Sequence, residues 1–211
     1  MKSLTKTMLG MVAAACLLSA CASCQTDKNK PSASESTAAV DSAEDTQSEP
    51  HGWDFATWED CSPLVGEHPC NFTLIDQNGE DWSLYDQHGK VVVIDFSAMW
   101  CGVCNTIAAK GDEFIADYGA DKFVWVTVLI DNTAGQSPTE SDIDSWVNAY
   151  SVTAPVLAGS RDMIDSTGED GWPISSWPTL VVVDENMTLT FGIYGWNEEM
   201  MRDAVTEALS D

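Results

Sequence analysis

The chain has 211 residues, of which 44% are hydrophobic, and 34 acidic side chains against 9 lysines and arginines give a formal net charge of −25. That length holds one ordinary domain plus tails, and so acidic a surface repels nucleic acid and anionic lipid headgroups, which excludes direct DNA binding. The acidity fits high solubility, a saline habitat or an acidic docking face equally well, so charge does not select a partner.

The first twenty residues stand apart from the rest. Lys2 and Lys6 form a basic start, and Met8 to Leu18 is an apolar run too short to be a permanent membrane span. Residues 1–20 therefore read as a signal peptide, and losing its two lysines leaves a charge of −27. The run ends in Leu18-Ser19-Ala20-Cys21, which resembles the lipobox of bacterial lipoproteins. That resemblance implies cleavage before Cys21 and lipidation of Cys21, the alternative being an ordinary secretory signal cut nearby. It also implies a periplasm-facing lipoprotein of the bacterial cell envelope. Ala22 is not the aspartate that retains many lipoproteins in the inner membrane, so the outer membrane is favoured. Residues 21–50 are dominated by Ser, Ala, Thr, Glu, Asp and Lys, with Val40 as the one β-branched aliphatic residue after Gln25. Such a segment cannot bury enough apolar surface to offset its ordering entropy, and is expected to be a disordered acidic tether.

Of seven cysteines, Cys16 leaves with the signal and Cys21 carries the lipid. Cys61 and Cys70 suit a structural disulfide in an oxidising compartment. Cys24 is left as a second acylation site or an unpaired thiol. Residues 51–70 form a Cys-containing N-terminal extension in which Trp53, Phe55 and Trp58 are expected to lie against the domain. His68 stands beside Cys70, but one histidine with two cysteines lacks a fourth ligand at a recognisable spacing, so no metal site is assigned.

Residues 71–211 carry the periodic signals of an α/β domain. Phe72-Thr73-Leu74-Ile75-Asp76 alternates as a strand, Gln77-Asn78-Gly79-Glu80 turns it back, and Trp82-Ser83-Leu84 starts a second short strand. Val91–Phe96 is a β-branched block of the kind buried on both sheet faces. Val103, Ile107, Phe114 and Tyr118 then recur at helical spacing as far as a break at Gly119. Phe123–Ile130 is a second buried strand. Ser137-Pro138-Thr139 opens a helix to Tyr150, with Thr139 and Asp142 at capping-box spacing. Pro155-Val156-Leu157 reads as a short edge element, and residues 159–176 as irregular with one helical turn near Asp162–Asp165. Thr179–Val183 is a third apolar strand, turned into Thr188–Tyr194, and Asn197–Leu209 closes as a helix with Met200, Ala204, Val205 and Leu209 on one face. The order β-β-β-α-β-α-β-β-α predicts a central mixed β-sheet flanked by helices.

Trp100-Cys101-Gly102-Val103-Cys104 falls at the junction between the first buried strand and the helix after it. Two cysteines separated by two residues can close a small disulfide or bind a metal. At a strand-to-helix junction the first sulfur meets the unpaired N–H groups and positive end of the helix, which stabilise a thiolate. The position predicts a redox-active dithiol.

Three stretches together resemble the thioredoxin superfamily over about residues 70–209: Asp95 through Cys104, Trp177-Pro178-Thr179 ahead of an apolar strand, and the closing hairpin and helix. The likeness is to the membrane-anchored, periplasm-facing branch related to the thiol reductases of cytochrome c maturation and to AhpC/TSA-type domains, and Phe72–Gly89 is similar to the N-terminal extension of that branch. The resemblance implies an α/β thioredoxin fold and a thiol–disulfide oxidoreductase of reductase type. No cofactor is implied beyond the redox-active Cys101–Cys104 disulfide. Cys101 would be the attacking nucleophile and Cys104 the resolving thiol, reacting through a mixed disulfide. Asp95 would be the buried carboxylate that takes a proton from the resolving thiol. Pro178 is expected to be cis, so that Trp177, Pro178 and Thr179 bind substrate with Trp100 flanking, while Gly102 and Val103 tune redox poise. The implied partners are thiols and disulfides of envelope proteins, a membrane or periplasmic electron donor, and the membrane itself through the lipid anchor; no nucleic acid is implied.

Several positions depart from the family pattern. Val103 replaces the proline often found between the cysteines, and no proline occurs near Ala109, where thioredoxin kinks its helix. Thr127 stands where thioredoxin has a buried lysine, Trp177 is bulky before the proline, and Ile107 replaces the glutamate of the cytochrome-maturation reductases. A thiol peroxidase is the alternative within the fold, but the Pro-x-x-x-Thr-x-x-Cys environment it requires is missing from the sequence. The alternatives of another class are a metallochaperone using Cys101 and Cys104 and a structural lipoprotein with a fixed disulfide. His51, His68 and His88 all precede the dithiol, whereas copper delivery by the related fold uses a wider cysteine spacing and a distant histidine.

Overall fold

The computed structural model describes residues 60–210; the signal segment, the tether with Cys21 and Cys24, and Trp53, Phe55 and Trp58 lie outside the described residues. Strand β1 (Thr73–Ile75) folds back antiparallel onto β2 (Asp81–Ser83). Gly79 supplies the positive φ of 79° that the turn requires. The main sheet contains β3 (Val91–Ala98), β4 (Phe123–Asp131), β5 (Val156–Ala158), β6 (Thr179–Val183) and β7 (Leu189–Tyr194), ordered β5-β4-β3-β6-β7. β3 pairs parallel with β4 and β4 with β5, while β6 runs antiparallel to both β3 and β7. This is the mixed sheet that the element order predicts. The three inner strands are buried at every residue, which is why their sequences are continuous apolar runs, whereas edge strand β7 alternates.

Parallel pairs need crossovers, and helices provide them. Between β3 and β4 lie α1 (Gly102–Ile107) and α2 (Lys110–Tyr118), between β4 and β5 lies α3 (Glu140–Tyr150), and α4 (Glu198–Ala208) closes the chain. α3 starts at the expected capping box: Thr139 accepts from the Asp142 amide, and Asp142 accepts from Thr139 N–H at 2.9 Å. On one side of the sheet Val91, Val93, Trp125 and Leu180 pack with Ile107, Phe114, Met201 and Val205 of the helices. Val92, Ile94 and Phe96, which point the other way, pack instead with Trp82, Leu84 and Trp172 of the hairpin and loops. A third cluster joins Leu129 and Val156 to Ile143 and Trp146 of α3, and contains Cys101 and Cys104.

Three local expectations are corrected. The single helix expected after Cys101 is two, because Ala109 (φ −90°, ψ 1°) interrupts it without a proline. Ile107 and Phe114 pack in one apolar cluster, and Cys104 and Ala108 in another. The buried face of α4 is Met201, Ala204, Val205 and Ala208: Ala204 and Val205 lie on it as expected, whereas Met201 stands in place of the exposed Met200 and Ala208 in place of the partly buried Leu209. The Asn197 side chain caps the Met200 amide. The turn in the irregular stretch spans Arg161–Met163, starting one residue and ending two residues earlier than expected, with Ser160 as its cap.

The described part of the N-terminal extension is tied to the sheet. Cys61 and Cys70 are disulfide-bonded with Cα atoms 4.8 Å apart. Inside the loop they close, Gly66 N–H donates to the Leu189 carbonyl at 2.8 Å, and Leu189 N–H donates to the Glu67 carbonyl at 2.9 Å. These two bonds fasten the loop to the start of β7.

Gly111 is where α2 meets the sheet. A Cβ there would stand 2.5 Å from Trp125 Cδ1, whereas one on Gly102 would meet nothing within 4 Å. Gly111→Ala is expected to lose about 1–3 kcal/mol through overpacking, although alanine alone favours a helix interior over glycine by about 1 kcal/mol. Gly102→Ala is expected to lose nothing. Urea denaturation of both variants checks this, and equal effects would contradict the packing of α2 on Trp125.

Candidate active site

Strand β3 ends at Ala98, and two residues later the chain turns into α1. Cys101 is the N-cap of that helix, with extended backbone (φ −83°, ψ 115°), and its Sγ accepts the Cys104 amide N–H at 3.2 Å. Cys101 and Cys104 are joined in a disulfide with Cα atoms 5.3 Å apart, within the usual span of such bonds. Cys101 keeps 7% of its surface and Cys104 none, so an incoming sulfur can reach only Cys101. Gly102 and Val103 lie exposed between them, and Trp100 flanks the pair about half exposed.

Asp95 lies in the middle of β3, fully buried. Side chains alternate along a strand, so Asp95 and Ser97 continue the face of Val91 and Val93, the face packed under Ile107 of α1. The Ser97 hydroxyl donates to Asp95 Oδ1 at 2.7 Å and the Thr127 hydroxyl to Oδ2 at 3.3 Å. Burial pushes the Asp95 carboxyl up to about 7, while the two hydroxyls favour the charged form and act in the opposite direction. Thr127, opposite Asp95 on β4, gives the acid a neutral donor.

The Trp177–Pro178 peptide bond is cis. Trp177 is half-buried, and its ring meets Trp100 edge-on, with centroids 6.4 Å apart and planes at 84°. Pro178 and Thr179 are buried; the Thr179 hydroxyl donates to the Ser176 carbonyl at 2.7 Å, and its backbone lies in the ladder between Phe96 and Tyr194. Among the predicted site residues, the structure gathers Trp100, Cys101, Gly102, Val103 and Cys104 around one helix start, brings Trp177 to Trp100, and sets Asp95 on the face beneath. Cys61 and Cys70 belong to the loop at the edge of β7.

Two further groups complete the surroundings. Asp131 at the end of β4 is buried, and its Oδ2 accepts the Trp100 Nε1–H at 3.0 Å. Arg161 clasps Asp131 with two nitrogens, Nε reaching Oδ1 at 2.8 Å. The indole is held by a buried carboxylate that is itself held by a guanidinium. Ser97 was legible in outline, since a serine two residues after Asp95 in a strand shares its face. Arg161 reaches the site across 30 residues of sequence from a stretch without period, and no pattern points to it. Among the described residues, no group of three or more His, Cys, Asp or Glu side chains is placed to hold a metal ion, and no helix is long and apolar enough to cross a membrane.

The chain is similar to known proteins. Residues 65–191 match the AhpC/TSA family, more than half of the chain. The chain is 30% identical over 121 residues to the thioredoxin-like protein YneN of Bacillus subtilis, covering 57% of this chain and 65% of YneN's length. It is 24% identical over 131 residues to the thiol-disulfide oxidoreductase ResA of Bacillus anthracis, covering 62% of this chain and 70% of ResA. The solved structure of Etrx1, an exposed lipoprotein thioredoxin of Streptococcus pneumoniae, superposes with a TM-score of 0.50 at 26% identity, covering 67% of this chain and 98% of that one. The five-stranded mixed sheet with its flanking helices is the thioredoxin fold.

The buried acid makes stability depend on pH with a definite sign. The folded protein holds the Asp95 proton up to about pH 7, whereas the unfolded chain releases it near 3.8. The stability this group contributes is therefore fully present below 3.8 and is lost as pH rises through about 7, a change of about 4 kcal/mol. Asp95→Asn, which carries no charge to bury, is expected to be more stable than the wild type at pH 8 and no more stable near pH 4. Denaturant midpoints across that range check this, and a difference independent of pH would contradict it.

Proposed function

The chain belongs to the AhpC/TSA family, and from that premise we propose that it is a thiol–disulfide oxidoreductase working through Cys101 and Cys104. The observation that carries this reading is the pairing of a barely exposed Cys101 Sγ, hydrogen-bonded to a helix-start amide, with a fully buried Cys104 three residues on. The amide that faces Cys101 Sγ stabilises negative charge there, and exchange begins with a thiolate.

In the reducing direction the Cys101 thiolate attacks one sulfur of a client disulfide. That bond breaks, the other client sulfur leaves as a thiolate and takes a proton from water, and a mixed disulfide joins Cys101 to the client. Cys104 then gives its proton to the Asp95 carboxylate, and its sulfur attacks Cys101 Sγ. The Cys101–client bond breaks, the departing client thiolate receives the proton that Asp95 took up, and the Cys101–Cys104 disulfide remains. Two electrons pass to the client, and a dithiol donor must return them before the next turnover. Trp100 and Trp177 wall the approach to Cys101, and the Trp177-Pro178-Thr179 segment is the proposed seat of the client strand.

Reduction, rather than oxidation, follows from the resemblance to the thiol reductases of cytochrome c maturation. Export and anchoring through Cys21 are supported by the signal-like N-terminus, the Leu18-Ser19-Ala20-Cys21 sequence and the likeness to an exposed lipoprotein thioredoxin. The proposed clients are accordingly envelope proteins, met from a periplasm-facing anchor in the outer membrane.

Cys104→Ser is expected to trap mixed disulfides through Cys101 and to abolish multiple-turnover insulin reduction, while Cys101→Ser is expected to trap no adduct and to abolish turnover as well. Non-reducing electrophoresis with mass spectrometry and an insulin assay check this. No adduct and no turnover in the wild type would overturn the oxidoreductase reading, and stoichiometric copper or zinc binding lost in Cys101→Ser would favour a metallochaperone instead.

A further inference from the structure

We propose that Ser97 is a positioning residue for Asp95, its hydroxyl occupying Oδ1 so that the carboxyl takes up and returns its proton through Oδ2. The inference rests on the reading of Asp95 as the proton acceptor for Cys104. Its basis is an asymmetry between the two hydroxyl donors. Ser97 Oγ stands 2.7 Å from Oδ1, a full hydrogen bond, whereas Thr127 Oγ1 stands 3.3 Å from Oδ2, beyond the usual O–H···O range. The loosely held oxygen is the one free to exchange a proton.

The environment leaves these hydroxyls as the controlling groups. Across from Asp95, β4 contributes Thr127 and β6 contributes Leu180. From α1 the titratable groups are Cys101 and Cys104, and the other buried residue is Ile107. The influences on the carboxyl are burial, Ser97 and Thr127, with no charged side chain among them. Ser97 is itself fully buried, so water cannot readily replace its hydroxyl. A donor that favours the carboxylate lowers its proton affinity, and burial alone would keep the acid protonated to higher pH. Ser97 thereby sets how much of the protein has its base ready near neutral pH.

The test is a titration of the Asp95 carboxyl by 13C NMR in the oxidised protein, where Cys101 and Cys104 do not titrate; the Asp95 signal is the one missing from Asp95→Asn. Ser97→Ala is expected to raise the midpoint by about one pH unit, which at pH 7 lowers the carboxylate fraction about five-fold. Ser97→Thr, which keeps the hydroxyl, is expected to restore the midpoint, and Thr127→Val to move it less than Ser97→Ala does. An unmoved midpoint in Ser97→Ala, or an equal rise in Ser97→Thr, would overturn the proposal. In the insulin assay the pH profile of Ser97→Ala is expected to shift with the midpoint, and adding Ser97→Ala to Asp95→Asn to change nothing further. A shifted midpoint with a pH profile indifferent to both substitutions would support the hold of Ser97 on Asp95 and remove Asp95 from the reaction.

Discussion

The hydrogen bond from the Cys104 amide to Cys101 Sγ ties the chemistry of this protein to its fold. It exists because α1 begins at that residue, and α1 begins there because β3, buried along its whole length, delivers the chain to the end of the sheet at Ala98. A helix start leaves N–H groups without intrahelical partners. Here one of them is spent on a sulfur, so the group that completes the helix cap is the group that reacts. The same turn buries Cys104 against the third apolar cluster, which keeps the second sulfur close to the first and away from solvent.

Around that bond two buried acids are held by partners of different kinds. Asp95 is buried without a cation, and two hydroxyls are its partners. An ion pair would fix the carboxyl in its charged form; a pair of neutral donors leaves it near the point where it can exchange a proton at neutral pH. The carboxylate of Asp131 serves a different end, held between Arg161 and the Trp100 indole. One buried acid is poised to titrate, and the other is clamped to orient an aromatic wall.

Much of this was legible in the sequence because it rests on local rules. Continuous β-branched runs identified the three central strands, Thr139 with Asp142 identified the start of α3, and the position of Cys101 between strand and helix identified the dithiol. Where local rules competed, the sequence was less informative. The interruption of the helix at Ala109 involves no proline, so the sequence carries no proline to announce it. At the start of α4 the sequence pointed to Met200 rather than Met201 because the two are equally apolar, and only the fold shows which of them is buried. Arg161 depends on the fold alone, since a surface arginine in an irregular loop carries no sign of a buried carboxylate thirty residues earlier. The pairing of Ser97 with Asp95 lay between these cases, implied by strand alternation yet invisible without knowing that the acid is buried.

The most direct measurement of the central claim is the pH dependence of alkylation of the reduced protein by iodoacetamide, with the modified residue identified by mass spectrometry. If a helix-start amide stabilises the Cys101 thiolate, modification falls on Cys101, spares Cys104, and reaches its plateau at a lower pH than that of a free cysteine, whose thiol titrates near about 8.5. Equal modification of both cysteines, or a Cys101 profile that follows free cysteine, would contradict the account.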